Sequence, residues 1–142
     1  MVQKYSLTTT DIACTAEDIV YTTWNISDTE TETWQMPTED DLAALISNTT
    51  PEWTDNYNNT SVAGYVLKGK GNYVNEEIFL PAAGYDDGSK EHGTYGGYWS
   101  STPYTEGGST KDAYRMNFRN TQPVATGDDG KSHGHTIRPV CK

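Results

Sequence analysis

Hydrophobic periodicity switches from helical to strand-like at Pro51, and that change limits the folds open to this chain. From Thr15 to Pro51 apolar residues recur at helical spacing; after it they fall into short runs separated by Gly, Asp, Asn and Thr. Ala16, Ile19, Val20, Thr23 and Trp24 mark one helical face, and Thr15 with Asp18 three residues on predicts its cap. A second helix is predicted after Trp34-Gln35-Met36-Pro37. Thr38 supplies its cap, Glu39, Asp40 and Asp41 place negative charge on its positive end, and Leu42, Leu45 and Ile46 form its apolar stripe. Asn48-Thr49-Thr50-Pro51 ends it, since proline cannot continue a helix and biases its predecessor away from helical geometry.

Strand signals dominate the remainder. Residues 65–68 and 77–80 flank the flexible turn Gly69-Lys70-Gly71-Asn72, and Pro81-Ala82-Ala83-Gly84 closes that pair. Residues 98–102, 113–119 and 136–140 are three further strand candidates, and a short opening strand is expected at 2–7. Two helices followed by several strands place the chain in the α+β class. Its 142 residues suffice for one core and are too few for two, so residues 1–142 are taken as a single domain.

Charge then narrows the function. With 20 acidic against 10 basic side chains the net charge is -10, which repels nucleic acid and anionic membrane surfaces. No apolar run approaches the roughly 20 residues that cross a bilayer, and the opening residues lack the apolar stretch of a signal peptide. Only 34% of residues are hydrophobic and 21% charged, so uncharged Thr, Asn, Ser and Gly make up much of the polar balance, as in loops and wet interfaces. Cys14 and Cys141 are either two free thiols or a disulfide closing a loop of more than a hundred residues, worth roughly 4 to 5 kcal/mol on the chain-entropy account.

Candidate binding residues concentrate between 93 and 142. If 113–120 is a strand, Tyr114, Met116 and Phe118 share one face, while Arg115, Asn117 and Arg119 project from the other as two planar forks flanking an amide, with Asn120 following. The plainer reading is a solvated outer face. The stretch 126–133 places Asp128, Asp129, Lys131 and His133 between glycines and is expected to be a loop, serving either as a binding loop or as an ordinary Asp-Gly turn; Asp86-Asp87-Gly88 is a similar turn. Tyr95 and Tyr104, flanked by Gly and Pro, are contact candidates because tyrosine offers large area at low entropic cost. Trp99 is assigned to the core, with Trp24, Trp34 and Trp53. His133, His135 and His92 could be three zinc ligands, but no fourth is evident and no metal or cofactor is expected. No nucleophile, base and acid occur in a catalytic order, so the chain is expected not to be an enzyme.

Four blocks, in order, carry a resemblance: Trp34-Gln35-Met36-Pro37-Thr38, Ile78-Phe79-Leu80-Pro81-Ala82-Ala83-Gly84-Tyr85, Gly97-Tyr98-Trp99-Ser100-Ser101-Thr102 and Ile137-Arg138-Pro139-Val140. Together they resemble the Fibrobacter succinogenes major paralogous domain family, found in surface and secreted proteins of Bacteroidetes and Fibrobacteres and built on the C-type lectin fold. The resemblance implies two helices packed on antiparallel sheets with long loops and adjacent N- and C-terminal strands, which would bring Cys14 toward Cys141. Gln35 stands where the family usually has arginine, and the Glu-Pro-Asn or Gln-Pro-Asp tripeptide of calcium-dependent sugar-binding lectins is missing. The frame is also similar to variable proteins of diversity-generating retroelements, in gut bacteria and their phages, whose mutable positions between such blocks bind the target. It implies a non-catalytic recognition protein at a cell surface, outside the cell or on a virion, engaging a protein or glycan. Two other readings remain open, a surface adhesin or lipoprotein module of fixed carbohydrate or matrix specificity and a formylglycine-generating type of enzyme.

Overall fold

The computed structural model describes residues 9–25, 33–86 and 91–142. The strand expected at 2–7 lies outside them. Helix α1, Ile19–Trp24, starts at Asp18 rather than Thr15, because Thr15 is consumed in the preceding turn, where its hydroxyl donates to the Ile12 carbonyl at 2.6 Å. Asp18 is fully buried and accepts from the N–H groups of Val20, Tyr21, Cys14 and Met36 at 2.8 to 3.2 Å. One carboxylate thus caps a helix and ties it to the next segment. The helix is six residues long and buries only Val20. Trp24, expected in the core, is half exposed and leans on Trp34 at 5.6 Å.

Strand β1, Trp34–Gln35, pairs antiparallel with β8, Val140–Cys141. Trp34 opposes Cys141 and Gln35 opposes Val140, so Cys141 and Gln35 emerge on opposite faces of this ladder. Cys14 lies on the Gln35 side and its thiol donates to Gln35 Oε1 at 2.7 Å. The two cysteines are not joined in a disulfide and face apart.

Helix α2, Glu39–Ser47, has the predicted cap: Thr38 Oγ1 accepts from the Asp41 N–H and the Asp41 carboxylate accepts from the Thr38 N–H. Its end is not followed by a loop. Strand β2, Thr49–Thr54, begins two residues later and pairs with β3, Gly64–Gly69, which pairs with β4, Glu77–Pro81. β2 lies at the edge of this sheet, where a proline such as Pro51 costs no ladder bond on its free side.

The second sheet has the order β5, Tyr95–Tyr104, β6, Asp112–Arg119, and β7, Gln122–Gly130. β7 corrects the expected loop at 126–133: residues through Gly130 are laddered to β6. The opposite edge, along β5, is covered by the returning chain, where Thr136 exchanges backbone hydrogen bonds with Trp99 and Gly97 at 2.9 and 3.0 Å. Of the strand expected over 136–140, only the last residue is in β8.

Leu42 of α2, Tyr65, Leu67 and Leu80 of the first sheet and Tyr98, Met116 and Phe118 of the second form one core. Gly96 admits the Phe118 ring, since a Cβ there would lie 2.1 Å from it. A smaller cluster joins Val20, Met36, Trp99 and Ala113. Among the described residues no helix is long and apolar enough to cross a membrane.

Candidate functional site

Alternation along β6 sets the site. Met116 and Phe118 are wholly buried in the core, so Arg115, Asn117 and Arg119 must leave the sheet on its other side. Facing them across β5 are Trp99, Gly97 and Tyr95, and across β7 Arg115 and Asn117 face Gly127 and Ala125. Two strands therefore supply small residues next to Asn117, and no side chain of β7 covers its amide from directly opposite.

The two arginines are held in place. Arg115 Nη1 donates to the Tyr95 hydroxyl at 2.6 Å, and its Nε lies 3.2 Å from Asp129 Oδ2. Arg119 pairs with Glu91 and its guanidinium carbon lies 4.9 Å from the centre of the Tyr95 ring. Tyr95, expected as an exposed contact, is buried at 5% exposure. Its flanking glycines do not expose it, because both arginines and Tyr85 close over its ring.

Asp129 is the hub. Its Oδ1 meets His133 Nδ1 at 2.8 Å and the Gly130 N–H at 2.8 Å, and its Oδ2 meets His135 Nε2 at 2.9 Å. Burial alone would raise its carboxyl. The hydrogen bonds of His135, Gly130 and His133 and the Arg115 charge outweigh that and hold it below the ordinary carboxylate value. His135 shifts down as well, chiefly because its side chain is completely buried, although Asp129 pulls the other way. A neutral ring donates Nε2–H to Asp129 and leaves Nδ1 bare. Among the described residues that nitrogen has no hydrogen-bond partner, and it lies 2.3 Å from where a Gly97 Cβ would be, so only glycine leaves room for the ring against β5. The ring also stacks on Tyr85 and meets Trp99 edge-on at 4.5 Å.

Tyr95, Arg115, Asn117, Arg119, Asp129 and His133 thus share the outer face. The other expected residues lie elsewhere. Tyr104 and Asp128 belong to the opposite face, where Tyr104 packs edge-on against Tyr114 at 5.1 Å and Asp128 opposes Tyr114. Asn120 is exposed in the β6 to β7 turn, its N–H bonded to the Thr94 carbonyl. Lys131 Nζ donates to the Thr110 carbonyl at 3.0 Å, and burial lowers its pKa. Asp86 exchanges backbone hydrogen bonds with Gly134, whereas residues 87 and 88 of that predicted turn lie outside the described residues. His92 is exposed and lines a cleft of about 330 Å³ with Gly84, Asp86 and Gly134. Both His133 and His135 are committed to Asp129, and among the described residues no three His, Cys, Asp or Glu side chains converge as metal ligands.

Glu91 and Tyr85 complete the site without any local pattern that announces them. Chemically the face is an array of planar donors and acceptors with balanced charge, Arg115 against Asp129 and Arg119 against Glu91. Both Asp129 oxygens are already engaged, Oδ1 by His133 and the Gly130 N–H and Oδ2 by His135 and the Arg115 charge.

The profile of a family described as a domain of unknown function (DUF8237) matches residues 49–140, from the start of β2 to the start of β8. No curated protein and no solved structure matches the chain.

Proposed function

Because the chain belongs to the DUF8237 family, whose description assigns no activity, its role is argued from the outer sheet face, and we propose that the protein is a non-catalytic recognition module on a C-type-lectin-like frame. Its target is a protein or glycan at a cell surface, and its setting is outside the cell, on the cell surface or on a virion. Support for the frame comes from the closing β1 to β8 ladder, which joins an early segment to the end of the chain, and from two helices lying ahead of antiparallel sheets.

The observation that carries the functional reading is the pre-organisation of Arg115, Asn117 and Arg119. Both guanidinium groups are pinned by an acid and by Tyr95, so a ligand does not have to immobilise two long side chains on arrival, a saving of about 0.5 to 1.5 kcal/mol for each. Asn117 has no side-chain hydrogen bond among the described residues and stands between them with a donor and an acceptor on offer.

The test is binding of labelled protein to a glycan array, with and without calcium, and to a panel of cell surfaces. Binding should fall about tenfold or more in the double variant Asn117→Ala, Arg119→Ala while the melting temperature holds; unchanged binding overturns this face as the site. In sibling genes, retroelement diversification would concentrate changes at 117, 119 and 133. Changes spread evenly over the surface would replace the diversified reading by one of fixed specificity.

A further inference from the structure

Strand β7 is the outer strand of its sheet, bonded to β6 on one side and to no described strand on the other. The ladder dictates which backbone groups face that open side. The Lys131 N–H donates to the Lys111 carbonyl at 2.8 Å, between residues that continue the β6 to β7 register. Directly opposed pairs that share such bonds alternate with pairs that do not. Ala125, Gly127 and Asp129 therefore bond inward, and Thr126 and Asp128 turn their N–H and C=O groups to the open edge. Neither residue's outward groups find a partner among the described residues.

Sheet edges are usually guarded by lysine, proline, bulges or a covering element. Here Pro123 guards one end alone. From Ala125 to Gly130 the register runs without a shift, no residue from 122 to 130 is basic, and Thr126 and Asp128 are exposed. The side chains beside this edge then say what would suit it. Tyr114 lies directly across from Asp128 and packs against Tyr104, whose hydroxyl donates to Glu106 Oε2 at 3.1 Å. Glu106 at the Tyr104 hydroxyl and Asp128 opposite Tyr114 thus place carboxylates on both sides of the aromatic pair, and Tyr114 is shifted upward by burial and then by the charges of Glu106, Glu39 and Asp128. Aromatic faces ringed by carboxylates complement a lysine or arginine side chain.

We infer that the open edge of β7 accepts an extended segment of a partner protein as a fourth strand, and that a lysine or arginine of this segment sits on the Tyr104 and Tyr114 pair between Glu106 and Asp128. Main-chain hydrogen bonds to Thr126 and Asp128 hold the segment, and the acidic aromatic patch selects its sequence. A second copy of this chain suits the edge poorly, since each copy carries a net charge of -10. This surface lies on the face opposite Asn117 and Arg119, and stands independently of the role proposed for them.

The experiment is selection of short random peptides, displayed on phage, against the immobilised full chain. Enriched peptides should carry a basic residue within an alternating run of β-branched residues. A synthetic copy should lose about tenfold or more in affinity with Asp128→Lys, and with Thr126→Pro, which removes an outward N–H and no ladder bond. Arg119→Ala should leave that affinity within about twofold. If Thr126→Pro fails to fold by circular dichroism, Asp128→Lys and backbone N-methylation of the peptide at alternate residues carry the test, each abolishing most of the binding. Absence of enrichment, enriched peptides without a basic residue, or affinity indifferent to Asp128→Lys overturns the inference. So does a concentration-dependent dimer disrupted by Thr126→Pro, which would place a second copy on the edge. If Arg119→Ala weakens the peptide as much as Asp128→Lys, the segment lies on the outer face; edge docking then fails while the proposed function stands.

Discussion

Asp18 and Asp129 are both carboxylates withdrawn from solvent, and each collects four partners, yet they are built from different materials. Asp18 is held by the backbone N–H groups of Cys14, Val20, Tyr21 and Met36. Asp129 is held by the side chains of Arg115, His133 and His135 and by one N–H, that of Gly130. Backbone donors are fixed by the fold, so Asp18 can only staple the first helix to the segment that follows β1. Side-chain donors can be exchanged singly, and one of these, His133, reaches the surface, so Asp129 organises a face that a ligand can meet. Similar local electrostatics serve the frame in one region and recognition in the other.

Trp99 joins the two regions and should show the largest effect. It packs with Val20 and Met36 near Asp18 and edge-on against His135 near Asp129. Trp99→Ala should cost about 3 to 5 kcal/mol in a denaturant melt. It should also lower protection of both α1 and the 134–136 segment in hydrogen exchange. Loss confined to one of them would show that the regions are not coupled through the indole.

Asp18→Ala comes next, at about 2 to 4 kcal/mol, since it removes a helix cap and strands buried N–H groups. Outer-face binding should survive it under conditions where the variant is folded. If Asp18→Ala abolishes binding in folded protein, the division into frame and face is wrong.

The third prediction separates the regions by pH. His135 has its pKa lowered in the folded state from 6.5, so below that value the unfolded chain takes up a proton that the folded chain refuses. Stability should decline as pH falls from 7 to 5. Asp129 adds a second loss only as pH drops below 3.8, because its carboxyl is held lower when folded. Melting temperature followed from pH 7 to 5 should slope less in His135→Phe than in the parent, with His92 and His133 common to both. Equal slopes would mean that His135 takes up its proton alike in the folded and the unfolded chain.

The comparison also explains what could be read in advance. Thr38 to Ile46 announced α2 because cap, charge and apolar stripe all agree, and Met116 and Phe118 announced β6 by strict alternation. β2 and β7 escaped because edge strands carry weak signals. Pro51 stops a helix and equally suits a free edge, and Gln122 to Gly130 is exposed on both faces at several positions, with an Asp-Gly pair that reads as a turn. At the site, the Arg115, Asn117 and Arg119 face follows from period two. The burial of Tyr95 and the part played by Glu91 follow from pairings distant in sequence, Arg119 with Glu91 and Arg115 with Asp129, which no local pattern contains.

Those pairings divide the two arginines, and the smallest predicted effect tests the division. The Arg115 side chain is only 17% exposed and faces Asp129, whereas Arg119 is 36% exposed and faces Glu91 from the rim. Removing Arg115 leaves Asp129 without its cation and Tyr95 without its donor, so Arg115→Ala should destabilise by about 1 to 3 kcal/mol. Arg119→Ala gives up a solvent-screened ion pair and part of a cation and ring contact, so its melting curve should stay within about 0.5 kcal/mol of the parent. Binding should nonetheless fall, because the guanidinium edge turned to solvent is lost. A stability loss for Arg119→Ala equal to that of Arg115→Ala would place both arginines in the frame and leave Asn117 as the sole recognition group between them.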